Sequence, residues 1–159
     1  MFPNLRGTAR KGRCIVTNQM QGNVVLQGFD GAGGAIKLSS PIEDVLNTFR
    51  EAFNKEWAKR SVKLQTSEPI IVEGNFVRID EGSRWMRYWL TFFAGHAVVE
   101  VEGHATMNGQ RIADFHYVEK SGWGLFGGDS KSLVKLCAGG AARKMARAVT
   151  QEAMARGDR

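Results

Sequence analysis

Apolar and polar positions alternate with two different periods along this chain, and the changes of period mark its elements. Ile42, Val45, Leu46, Phe49, Phe53 and Trp57 fall within about 120° of arc at 100° per residue, which predicts a core-facing helical stripe. Ser40-Pro41-Ile42-Glu43 in front of it reads as a capping box with proline at the first helical position, so a helix is expected from Pro41 to about Arg60. Glu51–Lys55 and Glu56–Arg60 have the favourable i,i+4 orientation on that helix. Further on, Ala97, Val99, Val101, Gly103, Ala105 and Met107 alternate with His96, Val98, Glu100, Glu102, His104 and Thr106, the period of a half-buried strand.

Shorter β-favouring runs lie at Cys14 to Thr17, Val24 to Phe29 and Ile70 to Ile79, the second followed by a glycine cluster and the third by the turn residues Asp80 to Ser83. Asn108-Gly109 marks a hairpin. A two-residue loop would move Phe115 and Tyr117 to the acidic face. A three-residue loop, Met107-Asn108-Gly109, instead places Ala113, Phe115 and Tyr117 opposite Gly103, Val101 and Val99, and this register is the one expected. A last helix should start at Asp129 or Ser130 and reach about Met154, with Gly139-Gly140 inside it at a cost of about 1 kcal/mol each relative to alanine unless close packing or a kink uses them. The expected architecture is α+β: an antiparallel sheet of four to five strands with two helices on one face, in the order β(β)-α-β-β-β-α.

Composition agrees with one globular domain, 43% hydrophobic and 24% charged over 159 residues, with residues 1–12 as a basic arm and 13–156 as the domain. The net charge of +6 is uneven: residues 1–20 hold four bases and no acid, residues 140–159 five bases and two acids, and the rest thirteen bases against fourteen acids. A neutral body with basic ends, Arg6, Arg10, Lys11 and Arg13 at one and Arg143, Lys144 and Arg147 near the other, is a weaker footprint for nucleic acid than a basic folded face. Two cysteines, Cys14 and Cys137, are too few for a disulfide framework; both are expected as free thiols, with Cys137 buried and inert in an alanine-rich helix. No apolar run follows the basic first thirteen residues, so no secretory signal is expected as written, and the chain is either cytoplasmic or one whose leader is absent from this sequence. Its longest uncharged aromatic-rich stretch, between Arg87 and Glu100, is twelve residues, short of the about 20 that a helix needs to cross a bilayer.

Candidate chemistry is sparse. His96, His104 and His116 share a face, but His96 and His104 are about 27 Å apart along one strand, and His116, opposite Glu100 in the expected register, is about 13 Å from His104, so no zinc trio converges. Gly122 to Ser132 resembles a phosphate loop until Asp129 stands where the lysine belongs, where it would repel phosphate. No catalytic residue, cofactor or metal is expected, and the chain is read as a non-enzyme. The densest feature is aromatic. Trp85, Tyr88, Trp89, Phe92 and Phe93, five of fifteen aromatics within nine residues and flanked by Arg84 and Arg87, suit core packing or a partner interface, as do Trp123, Leu125 and Phe126 of the glycine loop.

Gly82-Ser83-Arg84, then Phe92-Phe93-Ala94-Gly95-His96-Ala97, an alternating strand, an Asn-Gly hairpin, Gly124-Leu125-Phe126-Gly127-Gly128 and an alanine-rich terminal helix together resemble an uncharacterised bacterial family, a domain of unknown function found in envelope lipoproteins. The resemblance covers roughly residues 70–150; Phe92 stands where the family pattern has a first glycine, and no lipoprotein leader precedes Cys14. It implies a small α+β envelope domain and brings no catalytic residues with it. The resulting expectation is a non-enzymatic assembly or accessory subunit that self-associates or binds other proteins. The alternative is a nucleic-acid-associated protein in which the basic ends hold phosphate and Trp85, Tyr88 or Trp89 stacks on bases.

Overall fold

The computed structural model describes residues 23–64, 66–82, 96–121 and 130–157. Its elements are β1 (Val24–Gly28), β2 (Ala35–Lys37), α1 (Ile42–Ser61), β3 (Ile70–Asp80), β4 (Ala97–Met107), β5 (Gln110–Ser121) and α2 (Ser130–Gly157). The α+β class, the element order and the placing of two helices on one sheet face are as the sequence predicts; Cys14 to Thr17 lies outside the described residues. The sheet runs β1-β3-β4-β5, with β2 also beside β3.

One edge departs from expectation: β1 and β2 both lie parallel to β3. The cause is α1, which stands between β2 and β3 and turns the connection into a crossover, the only kind that joins parallel neighbours. β1 pairs with the first half of β3 (Val24↔Ile70 to Gly28↔Gly74) and β2 with its end (Ala35↔Arg78 to Lys37↔Asp80), so they are two pieces of one interrupted edge. At the break, Gly28 and Phe29 take φ of 75° and 51°, turning the Phe29 ring into the core against Phe49 at 5.1 Å and Phe76 at 6.1 Å between centroids. Room for it comes from Gly74, where a Cβ would sit 2.6 Å from Phe29 Cζ. Gly103, the neighbour of Gly74 on β4, does the same for Phe115, whose ring stacks at 6.5 Å on Phe29.

α1 begins at Ile42, one residue later than expected, and Ser40 makes no capping bond. Proline itself occupies the N-cap position, with no side-chain acceptor to offer, and Glu43 and Asp44 in the first turn face the positive helix end instead. The expected stripe is buried at Val45, Leu46, Phe49, Phe53 and Trp57, and Glu56 is buried beside it. Asp44 meets Lys135 at 3.4 Å and Glu56 meets Arg147 at 2.9 Å, so α1 and α2 run side by side in the same direction. The glycine pair of α2 serves close packing: a Cβ at Gly139 would be 3.7 Å from Ala52 on α1, and one at Gly140 would be 3.1 Å from the Glu119 carboxylate on β5.

The hairpin needs a correction. Its loop is the two-residue Asn108-Gly109, with φ of 53° and 71° as in a type I′ turn, and Met107 pairs with Gln110. A bulge between Ala105 and Thr106 then shifts the ladder by one residue, so Ala105 faces Ala113, Gly103 faces Phe115 and Val101 faces Tyr117. Phe115 and Tyr117 thus reach the core face as expected, by a bulge after a tight turn and not by a three-residue loop.

Candidate functional site: the open sheet face

Alternation along three neighbouring strands brings polar side chains together on the face opposite the helices. Glu73 of β3, His104 of β4 and Asp114 of β5 form one row across the sheet, and Asn75, Glu102 and His116 form the next. His104 Nε2 lies 3.2 Å from Glu73 Oε2, and His116 Nε2 lies 2.7 Å from Glu100 Oε1, reaching diagonally past Glu102. Arg111 closes an i,i+3 ion pair with Asp114. Together Glu102, His104, Arg111, Asp114 and His116 line an open depression of about 610 Å³ floored by Gly103.

In the observed register His116 faces Glu102 and not Glu100, which makes it a diagonal neighbour of His104, closer than the expected spacing. His96 remains at the far end of β4, with Nδ1 3.3 Å from the Ser121 carbonyl oxygen. Each of the other imidazoles is bonded to a carboxylate of its own, and among the described residues no three His, Cys, Asp or Glu side chains gather into a metal-holding group. Chemically this is a surface of alternating donors and acceptors, suited to contacts with another polar surface.

Other candidate residues fall elsewhere. Cys137 is buried, with Sγ 3.6 Å from the Ala97 carbonyl oxygen, and burial, reinforced by the Glu119 carboxylate, pushes its thiol up to about 11, so the thiolate a nucleophile needs is scarce at neutral pH. Arg143, Lys144 and Arg147 lie in the middle of α2. Lys144 holds Glu119 at 2.5 Å, and Arg147 shares Glu56 Oε1 with Arg60, at 2.9 and 2.8 Å, while the Arg143 guanidinium lies back along Gly139. The two arginine hydrogen bonds hold the Glu56 carboxyl down to about 2, against the desolvation that opposes ionisation. Sequence spacing exposes the Glu56–Arg60 pair; the bond to Arg147 is invisible to it because the partner is 91 residues away. Arg6, Arg10, Lys11 and Arg13, the aromatic segment Arg84, Trp85, Arg87, Tyr88, Trp89, Phe92 and Phe93, and Trp123, Leu125 and Phe126 all lie outside the described residues. Among the described residues no helix is long and apolar enough to cross a membrane.

No curated protein matches the chain. Among solved structures it is similar to a "putative lipoprotein" from Caulobacter crescentus, 11% identical over 87% of this chain and 93% of that one, with a TM-score of 0.45. It is also similar to the PelC dodecamer from Paraburkholderia phytofirmans, 12% identical over 81% of this chain and 91% of that one, with a TM-score of 0.42. A family model, that of the domain of unknown function DUF4410, matches residues 40–128, which is more than half of the chain and takes in α1, β3, β4 and β5; the chain belongs to that family.

Proposed function

We propose that this protein is a non-enzymatic assembly or accessory subunit that works through protein–protein contacts, with the cell envelope as its setting. The observation that carries the reading is the open sheet face: both helices cover one side of the sheet, and the other presents Glu73, Glu100, His104, Arg111, Asp114 and His116 as three separate bonded pairs. Catalysis calls for groups that converge on one reacting atom, with a base free to take a proton. Here His104 and His116 are paired with two different carboxylates, Glu73 and Glu100, rather than gathered about one point, and the one described thiol is buried and held protonated. Paired charges on an open sheet face give register and selectivity for a complementary partner, which is the chief use of polar groups at interfaces. The envelope setting rests on the family resemblance of residues 70–150.

The test is mass by light scattering on the full chain at low and high salt, together with recovery of bound partners from cells. A defined assembly that survives salt is the expected result. A monomer at high concentration with no protein partner overturns the reading, and co-purified nucleic acid released by salt or by deleting residues 1–13 replaces it with the basic-end alternative.

A further inference from the structure

Strand edges carry unpaired N–H and C=O groups, and this sheet has two edges of different kinds. On one side β1 and β2 are five and three residues long, parallel to β3 and separated by the loop that inserts Phe29, so no long ladder can be added there. On the other side β5 spans twelve residues, is paired regularly with β4 from Ala113 to Ser121 and again, past a bulge that leaves Ile112 unpaired, at Gln110 and Arg111, and has no strand on its outer side among the described residues. Val118 on this strand is 43% exposed, one of three large apolar side chains so placed among the described residues.

We propose that β5 pairs antiparallel with β5 of a second copy of this chain, about a twofold axis through Phe115, joining two sheets into one with α1 and α2 of both copies on one side. This deepens the subunit reading, on which it rests, by naming the partner. Directly opposed residues in an antiparallel ladder share a face, so a symmetric pairing must place one residue opposite itself. With Asp114 on the axis, two carboxylates oppose each other; with His116 there, two imidazoles do, and Asp114 is set against Val118. With Phe115 on the axis, Asp114 of each copy opposes His116 of the other, twice over; both side chains are more than half exposed, and the contact between copies would add to the bonds they make within their own chain to Arg111 and Glu100. On the core face the same register sets half-buried Tyr117 opposite the small Ala113, large against small. The edges left over are the interrupted β1/β2 edges, so growth stops at two copies and the assembly is closed.

The experiment is light scattering on the full chain over a concentration series, with two exposed-site variants and one cross-link. The expected mass is twice that of the chain. Val118→Lys should weaken association by about tenfold or more with an unchanged circular dichroism spectrum, whereas Leu136→Lys, at a site 60% exposed on α2, leaves the dimer intact. In a Cys14→Ser background, the double variant Asp114→Cys, His116→Cys should give a covalent dimer under oxidation that reductant dissolves. A chain that is monomeric at every concentration overturns the proposal, and if another protein is recovered with it the subunit reading still stands. An oligomer that survives Val118→Lys, breaks with Leu136→Lys or yields no covalent dimer also overturns it, since assembly would then use another surface.

Discussion

Glu56 is a buried carboxylate that accepts from arginines on both helices, and its removal should be felt across the helix layer. Glu56→Gln keeps the shape but loses the charge, leaving Arg60 and Arg147 with a neutral partner; hydrogen bonds to charged groups are worth about 1.5–3 kcal/mol, so a loss of about 1–2 kcal/mol is expected, or roughly 2–8 °C in Tm for a chain of this size. The sign of the pH dependence follows from the direction of the shift. Its folded-state value, about 2, lies below the ordinary 4.5, so the stabilisation is fully present above about 4.5 and is lost as the pH falls through 2. Thermal melts of both proteins from pH 7 to pH 2 should therefore show a gap that is constant at first and then closes across that window. A gap independent of pH would show that Glu56 acts through packing alone. Gly103 has a similarly local requirement. A Cβ there would run first into the β3 backbone, at the Glu73 carbonyl oxygen and at Gly74 Cα 2.6 Å away, and then into Phe115 Cζ at 2.8 Å, so Gly103→Ala should cost about 1–3 kcal/mol as an overpacked core does, read as a lowered urea midpoint.

Among the elements, α1 and β4 were the most legible, because each shows a clean period over ten or more residues with one face buried. Elements were missed where local pattern and tertiary need diverge. β2 is three residues beside a glycine loop and has no period of its own; it is a strand because Ile36 and its neighbours pair with the end of β3. The β4–β5 hairpin shows the same limit. Asn108-Gly109 correctly marks a type I′ turn, but the bulge that restores Phe115 to the core is set by the packing of that ring over Gly103 and is not written in any turn residue. Gly140 tests the reverse case, an unfavourable helix residue kept for a neighbour. Alanine there would gain about 1 kcal/mol of helix propensity, and its Cβ would meet the Glu119 carboxylate end at 3.1 Å, a flexible group tied to Lys144. Gly140→Ala should thus be close to neutral in a denaturant melt, and Gly140→Val, which adds two methyls toward the same carboxylate, clearly destabilising. Equal effects would mean that Glu119 moves away freely and the glycine is not held by packing.

At the scale of the whole molecule, the asymmetry between the interrupted β1/β2 edge and the long β3–β4–β5 ladder should divide the sheet in stability. The β4–β5 pairing closes over a two-residue loop and places β4 between two full-length neighbours, whereas β1 reaches β3 only after a crossover that contains all of α1. Closing the longer connection costs more chain entropy, and its return is split over two short ladders on either side of a break. Phe29 opposes this, since its ring is fully buried among Phe49, Phe76 and Phe115 and ties the break to the core. The sequence could show the glycine cluster but not this insertion, because a phenylalanine at positive φ is recognised only from the shape of the cavity it fills. Local opening of the β1/β2 edge therefore has to withdraw Phe29 or leave it behind as a hinge. Native-state amide exchange separates these outcomes. Protected amides of Val24–Gly28 and Ala35–Lys37 should exchange about tenfold or more faster than those of Val99–Ala105, with Phe29→Leu widening the difference by loosening the plug. If edge and centre instead exchange at one rate in both proteins, the sheet opens as a single unit, and the ring holds the interrupted edge as firmly as a continuous ladder would.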